Sequence, residues 1–319
     1  MGLTRIDSFS EGNHAGTCAP GGGGLVLKPG AQAGEWLSPV YRGGRFDWAV
    51  ASWNGEADLE VAVRVGLGHE WSPWFSYGRW CPGPERRSLL EQEVPGVGAL
   101  TTDTLTLERP AQVWQLRVSL EGGRLERLWL ATALRAYRSP EGPYRPAWGK
   151  ELPVPLRSQM VYPNGGRVWC SPTSLAMVMA FWGHEESIPG QVVPGVYDPV
   201  YGGHGNWPFN TAYAGLRGFE AWVDRLPGLA DLERLVAGGL PVIASVSYQK
   251  AWLQNAPIDQ TAGHLLVVRG FTAEGDVIVN DPAAASDEEV RRVYRREQFR
   301  RAWLDRGGVV YVLRPAHRP

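Results

Sequence analysis

Across residues 25–134, short β-prone segments follow one another, each closed by a turn-forming cluster. Gly24-Leu-Val-Leu-Lys28, Phe46 to Trp53, Leu59 to Val65, Thr102 to Leu107, Val113 to Leu120 and Leu125 to Leu130 are the segments; Asn54-Gly55, Pro82-Gly-Pro84 and Gly122-Gly123 are among the clusters between them. Alternating or β-branched runs this short, with turns this frequent, read as an all-β sandwich or jelly roll. Residues 136–155 then carry Pro140, Pro143, Pro146, Pro153 and Pro155. Proline fixes φ and removes ladder donors, so this stretch reads as a stiff connector. The boundary is placed near 145, with an accessory domain over 1–145 and a second domain over 146–319. The polar, glycine-rich residues 1–24 are expected to form a flexible leader.

Past the connector the pattern changes. Residues 171–182 and 229–237 read as helices, and 240–247, 264–269 and 276–280 as strands. A helix followed by consecutive strands favours an α+β domain over alternating βαβ units.

Composition narrows the partners. A formal charge of −1 provides no basic field for nucleic acid or an anionic membrane. No apolar run approaches the roughly 18 residues of a membrane helix, and the start of the chain has no apolar core of a secretion signal, so a cytoplasmic location is expected. Three cysteines, Cys18, Cys81 and Cys170, cannot all pair within one chain, so at least one thiol is free. The run Gly21 to Gly24 lacks the Gly-Lys-Ser/Thr ending of a phosphate loop, and His69, His184 and His204 form no pair at ligand spacing on one helix. No cofactor or metal is expected.

The sharpest segment is Arg167-Val-Trp-Cys170-Ser-Pro-Thr-Ser-Leu-Ala-Met-Val-Met-Ala-Phe-Trp-Gly183. Pro172 suits a first helical turn and Gly183 a stop, so Cys170 falls at the helix N-terminus, where N–H groups and the helix dipole favour a thiolate. In Thr261-Ala-Gly-His264-Leu-Leu-Val-Val-Arg-Gly270 a histidine opens an apolar strand, and Val277-Ile-Val-Asn280-Asp281-Pro282 ends a strand on a carboxylate. A buried structural thiol, a core histidine and a turn aspartate are the bland readings of these residues taken singly. Together, in this order, they are what a Cys-His-Asp relay requires: the sulfur attacks a carbonyl, the imidazole keeps it ionised, and the carboxylate sets the tautomer. The oxyanion of such a reaction needs donors, which the Cys170 N–H and a side-chain amide could supply; Gln159 is preferred over Asn164.

Gln159, Trp169-Cys-Ser-Pro-Thr-Ser174, Gly263-His264 and Asn280-Asp-Pro282 resemble the C39-like peptidase family of the papain-like cysteine peptidase fold, over roughly residues 150–319. The resemblance implies an α+β papain-like domain behind the all-β sandwich, a peptide or protein substrate, and amide hydrolysis with Cys170, His264 and Asp281 as the triad and Gln159 at the oxyanion. It implies a stand-alone member rather than one coupled to export. Trp169 and Gly263 beside the motifs, and His204 and Trp207 in Tyr201-Gly-Gly-His-Gly-Asn-Trp207, are candidate substrate contacts. Two other readings stay open: an acyl- or amide-transferring relative with the same residues, and a silent binder of peptide or glycan that uses the aromatic clusters of the first half.

Overall fold

The computed structural model describes residues 1–316. They divide into two compact units, one made of Met1–Ala136 with Tyr197–Val223, the other of Tyr137–Val196 with Asp224 onward. The first is β-rich. Its principal strands are β1 (Gly2–Ile6), β2 (Gly34–Leu37), β3 (Tyr41–Asn54), β4 (Ala57–Leu67), β5 (Phe75–Trp80), β6 (Gln92–Val94), β7 (Gly98–Thr101), β8 (Thr104–Leu125) and β9 (Arg127–Ala133). They hydrogen-bond in the order β1-β9-β3-β8-β7-β6, and β8 pairs in addition with β2 and β4. Trp36, Trp53, Trp80 and Trp129 are fully buried between them, so much of the unusual tryptophan content is core. Trp71 and Trp74 instead flank the Arg64 guanidinium, 4.6 and 4.7 Å from the two ring centroids.

Two expectations for this unit are corrected. Residues 1–24 are no flexible leader: β1 pairs in register with Leu128–Thr132, and Phe9 is buried with its ring 5.0 Å from that of Trp36. Main-chain pairing along β9 and burial of one aromatic outweigh the glycine content. The separate strands read at 102–107 and 113–120 are one strand, β8, bent by register shifts between Thr106 and Ala111 and between Leu120 and Gly122. Pro110 falls within the first shift, where no ladder donor is needed. Gly123, read as a turn, adjoins the second: its φ is +75°, and a Cβ there would run into the Glu56 carbonyl oxygen.

Residues 197–223 join this unit through buried polar groups. Asn54 Nδ2 donates to the carbonyls of Trp53, Thr211 and Ala221 at 2.7, 3.3 and 2.9 Å, and its Oδ1 accepts the Ala221 N–H at 2.8 Å. Removing that side chain leaves several main-chain groups unpaired in the interior. Asn54→Ala is expected to lower the stability by roughly 3 kcal/mol, read as a shifted midpoint in urea unfolding at constant slope; a change below a tenth of that would show the 197–223 segment to be held by packing alone.

The second unit carries helix α1 (Cys170–Phe181), α2 (Leu229–Ala237) and α3 (Arg296–Leu304), and strands β10 (Val242–Tyr248), β11 (Thr261–Phe271), β12 (Val277–Asn280), β13 (Arg291–Tyr294) and β14 (Val309–Pro315). The strands are antiparallel in the order β14-β10-β11-β12-β13. Residues Ser171 to Met179 are buried without exception; a helix apolar on all faces belongs in a core, and α1 packs against β10 and β11. Two of its hydroxyls find partners there: Ser174 Oγ donates to the Leu265 carbonyl at 3.2 Å, and Ser171 Oγ lies 3.2 Å from the Tyr311 hydroxyl. The central cysteine helix therefore has a rigid seat on the sheet. No described helix is long and apolar enough to cross a membrane.

Candidate active site

Cys170 is the first residue of α1 and is half-buried. Behind it the helix is held in place, because its side chains are engaged by β11 and β14. His264 stands on β11, opposite Val246 of β10, with an exposure of 3%. The strand begins three residues before the histidine, at Thr261 rather than at His264. Asp281 follows β12 directly; its N–H donates to the Val290 carbonyl at 2.8 Å, and Pro282 then ends the ladder. It is fully buried.

These three side chains come together. His264 Nε2 is 2.7 Å from Asp281 Oδ1, and Cys170 is near enough to His264 for the two groups to shift each other's ionisation. An ionised carboxylate can only accept, so Nε2 carries a proton and Nδ1 is left as the nitrogen that can gain or lose the second one. Asp281 has two further donors, the Ala283 N–H to Oδ1 at 3.0 Å and the Tyr294 hydroxyl to Oδ2 at 2.6 Å. Tyr294 has no counterpart in the sequence reading; a lone tyrosine in Arg-Arg-Val-Tyr carries no spacing signal, and only the pairing of β12 with β13 brings it near the carboxylate.

The electrostatics follow from burial opposed by partners. Burial pushes the Cys170 thiol up, yet the hydrogen bond and charge of His264 outweigh it and hold it below the usual thiol range. Burial pulls His264 down, but the charge and hydrogen bond of Asp281, with a smaller part from Cys170, raise it to about 10. Burial pushes Asp281 up, and the charge of His264 followed by its hydrogen bonds brings it below the ordinary carboxyl value. All three shifts favour thiolate, imidazolium and carboxylate together.

Gln159 lies in the same unit, 3% exposed; its N–H donates to the Pro282 carbonyl at 2.8 Å, which ties it to the residue after Asp281. Its Oε1 is buried with no hydrogen-bond partner among the described residues. Asn164, the other amide considered, is exposed. The loop that follows Gln159 borders an open pocket of about 380 Å³ lined by Met160, Tyr162, Gly165, Gly166, Arg167 and Val168, among others. Trp169 is buried, its ring 5.8 Å from that of Tyr162, and Gly263 is exposed, its N–H bonded to Thr261 Oγ1 at 3.1 Å. His204 and Trp207 belong to the first unit. There the Trp207 N–H donates to Asp103 Oδ2 at 2.8 Å and opens the helix Trp207–Leu216, and the His204 ring is 5.1 Å from that of Tyr197.

Asn280 has a role of its own beside the site. Its Nδ2 donates to the Pro155 carbonyl at 3.1 Å and its Oδ1 accepts from Arg269 at 3.0 Å, while Arg269 Nε reaches the Leu152 carbonyl at 2.9 Å. The connector ahead of Gln159 is thereby fastened to the sheet that carries His264.

Known proteins resemble the chain in two portions. A solved structure of a proposed C39-like peptidase from Bacillus anthracis is 19% identical over 52% of this chain and 98% of its own, with a TM-score of 0.38. The structure of TmCBM61 in complex with beta-1,4-galactotriose is 13% identical over 41% of this chain and 82% of its own, with a TM-score of 0.21. Among curated proteins nothing matches. Residues 3–133 match the model of the Peptidase C39 N-terminal domain. Residues 151–311, half of the chain and the portion that holds Cys170, His264 and Asp281, match the model of the Peptidase_C39 like family, and the chain belongs to that family.

Proposed function

We propose that the chain is a cysteine peptidase of papain-like fold that hydrolyses a peptide-type bond through Cys170, His264 and Asp281, with the β-rich first unit as a sandwich-type accessory module. The observation that carries this reading is a thiol at a helix N-terminus beside a buried imidazole that is itself hydrogen-bonded to a buried carboxylate. In it Cys170 attacks the carbonyl as thiolate. The oxyanion takes the Cys170 N–H and the Gln159 side-chain amide, and His264 protonates the leaving amine to give a thioester. Water, deprotonated by His264, then hydrolyses the thioester and returns the thiol. Asp281 keeps the imidazole in one tautomer throughout.

The test is the rate of iodoacetamide alkylation of each cysteine against pH, followed by mass spectrometry in the wild type and in His264→Ala. Cys170 is expected to react rapidly well below pH 8, near where an unperturbed thiol begins to ionise, and to lose that advantage in the variant. Cys18 and Cys81 serve as internal references, Cys81 being buried with its thiol pushed up by burial. A Cys170 that reacts no faster than Cys18 at every pH would refute the proposal.

A further inference from the structure

We propose that Tyr294 is a positioning residue for this reaction: its hydroxyl fixes the plane of the Asp281 carboxylate and so the orientation of the His264 ring toward Cys170. The inference rests on the peptidase reading above and assigns to the site a residue outside its three reacting side chains.

The two oxygens of Asp281 are held differently. Oδ1 is shared by His264 Nε2 at 2.7 Å and the Ala283 N–H at 3.0 Å, whereas Oδ2 receives the Tyr294 hydroxyl at 2.6 Å. A carboxylate turns readily about its last torsion, because its sp² end has broad, two-fold wells. Donors anchored on two different segments prevent that turn. Ala283 follows Asp281 in the same loop, and Tyr294 comes from β13, where it is fully buried opposite Val277. An O–H donor on an ionised acceptor forms one of the stronger hydrogen bonds, and a buried phenol ring has little freedom to relinquish it.

The same hydroxyl withdraws negative charge from Oδ2, which keeps Asp281 a poor base and leaves the proton on Nε2. Among the described residues, Cys170 from α1, His264 from β11, Tyr248 from β10 and Tyr294 from β13 are the titratable groups that interact with the carboxylate, and Arg292 of β13 acts on Tyr294. Burial and then the Asp281 charge push both phenols up, so they stay protonated wherever the site could work. Tyr248 directs its hydroxyl to the Ile258 carbonyl at 3.4 Å instead, and Tyr294 alone of the two donates to the carboxylate.

The experiment is the alkylation profile of Cys170 with iodoacetamide against pH, with Cys18 as reference, in the wild type, in Tyr294→Phe and in a protein carrying 3-fluorotyrosine at position 294, each checked for native structure by circular dichroism. The fluorinated phenol keeps the shape and is the stronger donor, so it reports on the hydrogen bond even where loss of the hydroxyl weakens the fold. In Tyr294→Phe the acid limb is expected to move up by about one pH unit, a tenfold slower reaction at fixed pH, on the scale of one hydrogen bond to a charged group. The fluorinated protein is expected to shift the limb the opposite way. Acid limbs that coincide with the wild type in both proteins overturn the role of Tyr294 and leave the peptidase reading standing. A wild-type Cys170 no faster than Cys18 overturns both.

Discussion

Asp281→Ala is expected to slow peptide hydrolysis about a thousandfold, the scale on which a general acid–base residue acts, and to change how stability depends on pH. In the wild type His264 is raised to about 10, above its unfolded value near 6.5. Its contribution to stability is therefore complete below about pH 6.5 and is lost as the pH rises toward 10. Asp281 is held below its unfolded value near 3.9, so its contribution is present above that pH and lost as the pH falls through the folded value. Without the carboxylate only the smaller part from Cys170 opposes burial, and the His264 value falls well below 10. In the variant the folded state therefore no longer gains most of the stability that the wild type gains as the pH falls from 10 toward about 6.5. The gap between wild type and variant should be widest, about 3 kcal/mol on the scale of a broken buried pair, near pH 5 to 6, and should close toward pH 10. Urea midpoints across pH 5 to 10 measure it. A gap independent of pH would mean that the histidine and aspartate are not an ion pair.

Gly166→Ala carries the second large effect and touches no ionisable group. A Cβ at Gly166 would overlap the Gln159 carbonyl oxygen and lie 3.5 Å from the Tyr162 Cβ. The glycine N–H bonds to the Tyr162 carbonyl at 3.2 Å, and the Trp169 N–H to the Gly166 carbonyl at 3.1 Å. The main chain between Gln159 and Cys170 closes on itself at this point, so the new methyl group must displace either Gln159 or the entry to α1. A loss of about 1–3 kcal/mol is expected from overpacking, and about a hundredfold loss of turnover from misplacing the amide and the helix start by an ångström. Unfolding midpoints and the Cys170 alkylation rate read the two effects separately. An alanine protein with wild-type values of both would show that the loop accommodates the methyl group and does not set the geometry.

Much of the candidate site is legible in the sequence. Cys170, His264 and Asp281 stand out because each adjoins a local signal: Pro172 and Gly183 mark a helix that starts at the cysteine, an apolar run follows the histidine, and Pro282 breaks the strand just behind the aspartate. Gly122-Gly123 misleads for the opposite reason. The same residues that make turns also make bulges, and whether a strand stops or bends depends on partners that lie far away in sequence. Residues 1–24 illustrate the same limit, since their strand exists through its pairing with β9.

Local chemistry along the chain thus determined the element types around the cysteine, the order of the three polar side chains and the change from a β-rich half to a mixed one. Only the tertiary structure decided that Tyr294 reaches the Asp281 carboxylate, that Asn280 and Arg269 fasten the connector, and that residues 197–223 pack with the first unit around Asn54. Each of these is a hydrogen bond between groups distant in sequence, and what makes them obligatory is burial: a polar group removed from water must find whichever partner the fold brings within reach.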